Sequence, residues 1–221
     1  MDKCLVYAVL GGECDMDVVF AVDYCSSVSQ EEFQVELNFV KQLAQSWNVS
    51  PEGLVVYGHS AKAVPFNPDD GKVFTVQLGE LRTKTWLEKK TRRMDLGLTE
   101  AAGNFTASSS QHQLVVLVTT GKQISNAENK DDDQDQDLLV SASKELSSRN
   151  VKIIIVPVGL ETDFRQLGLI VKRPQSLYPL SSFVDMTPDT AQKVASNIVT
   201  TIGEFVFQLF FSICVQYSSI F

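Results

Sequence analysis

At 221 residues the chain can bury one sizeable core, and its 44% hydrophobic and 21% charged residues are ordinary for a globular domain. A formal charge of −8 excludes a nucleic-acid binder, because phosphate neutralisation needs a basic face. The one strong basic cluster, Lys89, Lys90, Arg92 and Arg93, reads as a solvated loop.

Along the chain, residues 1–14 form an N-terminal segment, a weak signal or a linker. The apolar run of MDKCLVYAVLGG is at the lower limit for a signal core and ends on a poor cleavage site. DVVFAVD (17–23) reads as a buried strand. Residues 28–47 read as a helix, with Phe33, Leu37, Val40, Leu43 and Ala44 at helical spacing and Ser29 with Glu32 as a capping box. GLVVYGHSAKAVPF (53–66) gives two short strands joined around Ser60 and Ala61, and one short antiparallel edge strand is expected in the sheet. A short helix is expected within 73–90, and another helix over 94–107 with a glycine that permits close packing.

QLVVLVTTG (113–121) is the second long buried strand. The aspartates of NKDDDQDQD (129–137) lack the glycine and glutamate an EF-hand loop needs, so they read as a solvated loop entering a helix over 135–150. VKIIIVPVG (151–159) is a third buried strand, followed by a helix over 163–172, a short strand at 181–186 and a helix from Pro188. The apolar tail 205–221 is too short and interrupted to span a membrane. Unbroken Val/Ile runs point to strands covered on both faces. Alternating with helices, they predict an α/β, doubly wound (Rossmann-like), mostly parallel sheet with helices on both faces, in one domain over 15–204.

Ligands of such sheets bind beyond the carboxyl ends of the strands. Here those ends carry Asp23 with Ser26 and Ser27, then Thr119-Thr120-Gly121, then Pro157-Val158-Gly159. No glycine-rich phosphate loop follows any strand, which argues against a nucleotide. No histidine is placed to act as base for a serine nucleophile, so no enzymatic activity is expected. Cys4, Cys14, Cys25 and Cys214 lack zinc spacing. A bridge from Cys214 to Cys14 or Cys4 would tie the domain ends together in an oxidising compartment, and four reduced thiols are the alternative. Asn48-Val49-Ser50 and Asn104-Phe105-Thr106 are glycosylation sequons that agree with secretion.

The ordered set DVVFAVDYCSS, GLVVYGHSAKAVPFN, TRRMDLGLTEA, LVVLVTTGK, VKIIIVPVG and FVDMTPDTAQKVASNIVTTIG resembles a von Willebrand factor type A domain over residues 15–204. The resemblance implies a metal-ion-dependent adhesion site. Its pattern is D-x-S-x-S after the first strand, a threonine before a mid-chain helix and an aspartate closing the fourth strand, all suited to Mg²⁺. Asp23 and Ser27 match the outer positions of the first motif, and Cys25 stands where its first serine belongs. A thiol is too soft to replace that hydroxyl on Mg²⁺. Arg92 falls on the threonine position, with Thr91 offered by a one-residue slip, and Thr120 stands where the aspartate belongs. The metal positions Asp23 and Ser27 are thus vestigial, no cofactor is expected, and Mg²⁺ enters only if the altered site still binds. An arginine at residue 92 could instead pair with Asp23 near the cation position.

The resemblance implies a non-enzymatic, metal-independent interaction or adhesion domain of a secreted matrix protein. Its partners would be proteins, collagen-like or other matrix components, with no nucleic acid and no membrane span. The alternatives are an intracellular scaffold domain within a complex, in the cytoplasm, and a small-molecule-binding α/β domain using the same crevice.

Overall fold

A computed structural model of the chain describes residues 16–47, 52–64, 91–105, 112–124, 132–171 and 174–200. Five strands form one sheet: β1 (Met16–Asp23), β2 (Gly53–Tyr57), β3 (Ala61–Val64), β4 (His112–Thr119) and β5 (Lys152–Pro157), in spatial order β3-β2-β1-β4-β5. All neighbours pair in parallel except β2 with β3. The doubly wound, mostly parallel sheet with one antiparallel edge strand is therefore as the sequence indicates.

Period-two alternation splits the core into two. Val18, Phe20 and Val22 of β1, with Val116 and Val118 of β4, face α1 (Gln30–Trp47) and the helical residues 188–200. Val19 and Ala21, with Val115 and Leu117, face α2 (Met94–Asn104), α3 (Asp132–Ser148) and α4 (Phe164–Ile170). Both faces are apolar because both are covered, which is why the strands show no polar alternation. The capping box at the start of α1 is present: Glu32 N donates to Ser29 Oγ at 3.1 Å, and Ser29 N to Glu32 Oε2 at 2.8 Å. At the far end of α1, Trp47 Nε1 donates to Ala195 O at 3.0 Å and ties the last helix to the first.

The packing glycine of the 94–107 segment is Gly97, where a Cβ would lie 2.9 Å from Cγ and Cδ1 of Tyr57. That ring is buried and anchored by its hydroxyl, which donates to Val118 O at 2.6 Å. Helix α2 consequently sits close against β2.

Three expectations are corrected. Of the basic cluster read as a solvated loop, Arg92 is buried and Arg93 largely so. The acids read as a loop before residue 135 already belong to α3, which starts at Asp132, and Asp135 is buried. Residues 181–186 form no strand: Phe183–Asp185 is a 3₁₀ turn, closed by a Ser182–Asp185 capping box. Parallel pairing to β5 comes earlier, as isolated bridges at Leu177 and Leu180. Tyr178 N donates to Ile155 O and Leu180 N to Pro157 O, but Pro157 has no N–H to return a bond between them, so the pairing stays as separate bridges. The helix expected within 73–90, the segment 1–14, the tail 205–221 and Cys4, Cys14 and Cys214 lie outside the described residues. No helix among the described residues is long and apolar enough to cross a membrane.

Candidate functional site

The strand order reverses between β1 and β4: the chain runs outward through β2 and β3 on one side and through β5 on the other. A crevice forms at the carboxyl ends of strands at such a point. Asp23 ends β1 there, Thr119 ends β4, and the segment entering α2 brings Arg92 across them. Arg92 is positioned by its backbone, which exchanges hydrogen bonds with Ile124 at 3.0 and 2.9 Å. The next residue is fixed as well, since Arg93 N donates to Gly58 O at 2.8 Å.

All five sequence-derived positions converge. Arg92 Nε donates to Asp23 Oδ2 at 2.6 Å, an ion pair in which Asp23 is fully buried and Arg92 nearly so. Nη2 of Arg92 faces Ser27 Oγ at 2.8 Å, Thr120 Oγ1 at 3.0 Å and Cys25 Sγ at 3.2 Å. Nη1 donates to Lys122 O at 3.2 Å. Asp23 is saturated from several sides: Oδ1 accepts from Cys25 N at 3.0 Å, while Oδ2 also accepts from Thr120 N at 3.2 Å and Thr120 Oγ1 at 2.7 Å. The two alignments of the TRR segment are thereby distinguished in space. Arg92 enters the cluster, whereas Thr91 Oγ1 pairs with His59 Nδ1 at 3.2 Å.

Desolvation works most strongly against the charge of Arg92, but the charge and hydrogen bond of Asp23, with Cys25 and Tyr57, together outweigh it and hold the guanidinium above its ordinary pKa. Burial, and then the charge of Asp23, push the Cys25 thiol up to about 11. At neutral pH Cys25 is a protonated, inert thiol, since the thiolate is the reactive form. The cluster has no group poised for proton transfer or nucleophilic attack. Among the described residues no group of three or more His, Cys, Asp and Glu side chains is placed to hold a metal ion.

Several participants escape a reading of the sequence. Gly121 leaves room for the guanidinium, for a Cβ there would stand 2.9 Å from Cζ of Arg92. Gly121→Ala is therefore expected to displace Arg92 and cost about 1–3 kcal/mol in chemical denaturation, as overpacking does. A second polar cluster lies beside the first. Arg93 binds Asp95 through two bonds of 2.8 and 2.7 Å, Gln123 Nε2 donates to Asp95 Oδ1 at 2.6 Å, and Gln123 N donates to Gln166 Oε1 at 2.6 Å. The Arg93–Asp95 spacing at a helix start was a visible signal; the two glutamines gave none. Of the sequons, Asn104 is the last residue of α2, half-buried, with its amide donating to Glu100 O at 2.8 Å. Asn48 lies outside the described residues.

Solved structures share this architecture. The proximal thread matrix protein 1 of the mussel byssus superposes with a TM-score of 0.63 at 18% identity, over 85% of this chain and 48% of that one. Another crystal structure of that protein has a zinc-occupied MIDAS motif. The PilB minor pilin of Streptococcus sanguinis gives a TM-score of 0.58 at 14% identity, covering 86% of this chain and 62% of its own. Manganese-loaded TRAP protein of Plasmodium vivax gives 0.53 at 18%, covering 81% and 72%. The chain spans about half the length of the byssus protein, and at these identities the likeness concerns the fold alone. The family profile of the von Willebrand factor type A domain matches residues 17–197, nearly all of the sheet and its helices, and the chain belongs to that family.

Proposed function

We propose that this chain is a non-enzymatic protein-interaction domain of an extracellular adhesion or matrix protein, and that it binds its partner without a metal ion. The observation that carries the reading is the buried Asp23–Arg92 pair, 2.6 Å long, at the edge of the sheet where a type A domain would place a cation. Asp23 Oδ2, the oxygen facing the guanidinium, already accepts three hydrogen bonds, and Oδ1 accepts one, so Arg92 and its neighbours occupy the side a cation would use. The absence of a poised base or nucleophile in the cluster supports a binding role over catalysis. Family membership, and the likeness of fold to a byssus matrix protein and to TRAP, support the adhesion setting.

The test is binding of the purified chain to immobilised collagens and other matrix proteins, with Mg²⁺ present and with EDTA. The expected result is a partner whose affinity is the same in both buffers. Loss of binding in EDTA would overturn metal independence, and failure to bind any matrix protein would overturn the matrix assignment. Peptide mapping without reductant of the chain recovered from its native source, with thiols blocked at lysis, checks the compartment. Secretion predicts that Cys214 is bridged to Cys14 or Cys4, and four free thiols would favour a cytoplasmic scaffold.

A further inference from the structure

We infer that Arg92 is the chain's own cation at this edge. Its guanidinium closes a latent cation site that, once opened, takes a thiophilic divalent ion such as Zn²⁺ in preference to Mg²⁺. This shares with the proposed function only the expectation that the unaltered chain takes no divalent ion here; the variants below test the rest, so the two ideas fail separately.

Four side-chain acceptors surround the one guanidinium. Asp23 Oδ2 lies 2.6 Å from Nε, and Ser27 Oγ, Thr120 Oγ1 and Cys25 Sγ lie 2.8, 3.0 and 3.2 Å from Nη2. They come from the β1 loop and the β4 loop and converge on a single positive group. Asp23 and Cys25 are almost wholly buried, at 0% and 4% exposure, so the cluster is a built interior site and not a chance surface gathering. Gly121 is shaped to the arginine, since a Cβ there would press on Nη1 and Cζ.

Mg²⁺ does not fit this cluster. It requires about six oxygen donors in near-octahedral geometry and sheds its waters reluctantly. The convergent set here is one carboxylate, two hydroxyls and one sulfur, and the sulfur cannot be avoided, because Cys25 Sγ lies 2.9 Å from Ser27 Oγ. Zn²⁺ takes thiolate sulfur and carboxylate oxygen, so Cys25 and Asp23 would be its two protein ligands, with water completing four-coordination beside the hydroxyls. Truncating Arg92 would leave the buried Asp23 carboxylate without its counter-charge, a costly state that an entering divalent ion relieves. Thiol chemistry then decides which ion enters.

The experiment compares the full chain, Arg92→Ala and the double variant Arg92→Ala/Cys25→Ser by calorimetric titration and thermal denaturation with Zn²⁺ or Mg²⁺ alone. The expected result is that Arg92→Ala binds Zn²⁺ about tenfold or more tighter than the unaltered chain. The double variant should lose that gain and respond to Mg²⁺ instead. With Co²⁺ as probe, Arg92→Ala should show sulfur-to-metal charge-transfer absorption that disappears with Cys25→Ser, which separates this site from the other thiols and from surface carboxylates. If Arg92→Ala is recovered only in denaturant, refolding in Zn²⁺, Mg²⁺ or neither reads the same property, and recovery in Zn²⁺ alone supports the inference. Equal failure in all three overturns it. So does a folded Arg92→Ala that is indifferent to Zn²⁺ or prefers Mg²⁺, or an unaltered chain whose Co²⁺ absorption depends on Cys25.

Discussion

Arg92→Ala, in metal-free buffer, is expected to lose about 3–5 kcal/mol of stability, the usual cost of removing one partner of a buried ion pair. The reason is less the lost attraction than the charge left behind. Asp23 is fully buried, and its remaining donors, Thr120 and the Cys25 amide, are neutral groups that cannot balance a carboxylate. A loss of that size is a large part of the roughly 5–15 kcal/mol that holds a typical domain together, so the urea midpoint should fall steeply. Asp23→Ala should cost a similar amount, because it strands a buried guanidinium. The paired variant Asp23→Leu/Arg92→Met should recover much of the loss, since apolar replacement of a whole buried pair is often close to neutral. A double-mutant cycle of Asp23→Leu, Arg92→Met and the double variant by chemical denaturation measures this. Simple additivity of the two single losses would show that the pair is not coupled and would remove the basis for Arg92 as a counter-ion.

Glu36→Met is expected to act in the opposite direction. Glu36 lies on the buried face of α1, with no exposed surface, and neither carboxyl oxygen has a hydrogen-bond partner among the described residues. Burial, followed by the charge of Asp23, raises its pKa well above the ordinary carboxylate value, which favours the neutral acid. A buried polar group without a partner costs about 1–3 kcal/mol, and Met, similar in length and flexible, should return that much.

The sign of the pH dependence follows from linkage. The folded chain keeps the Glu36 proton after the unfolded chain has lost it near pH ~4.3. The favourable contribution of that bound proton is complete below the unfolded pKa and disappears as pH rises toward the folded value. The slope approaches about 1.4 kcal/mol per pH unit for one proton. Denaturation between about pH 5 and 8 should therefore show the unaltered chain losing stability with pH relative to Glu36→Gln and Glu36→Met. Parallel curves for all three would mean that Glu36 is ionised in the folded chain or finds water.

The strands were readable because both faces of each are covered: VVFAV, LVVLV and KIIIV offer no alternative to a buried parallel sheet. The expected strand at 181–186 was misplaced because the residues that pair with β5, Leu177 and Leu180, make single bridges on either side of Pro179, and no pattern marks an isolated bridge. At the site, the one-dimensional order placed Asp23, Cys25, Ser27, Arg92 and Thr120 at three loops of one edge. It could not distinguish Arg92 from Thr91, since that depends on the Arg92–Ile124 backbone pairing, a contact across the fold. Glu36 is an anomaly of the helical pattern itself. It sits three residues after Phe33 and four before Val40, on the apolar stripe, and an acid at that spacing is directed into the core by periodicity alone.

The closed cluster also decides what a visiting protein meets at this edge. Asp23 and Arg92 cancel each other below the surface, while Ser26 and Ser27 stand exposed above them. Sealed from solvent ions, the pair is little affected by ionic strength. Among the described residues directly above the pair, two uncharged hydroxyls reach the outside, one of them already accepting from Nη2 of Arg92. A patch of that kind does not draw acidic side chains from a distance. It rewards close fit and short polar contacts, so recognition here would be governed by shape and contact lifetime rather than by electrostatic capture.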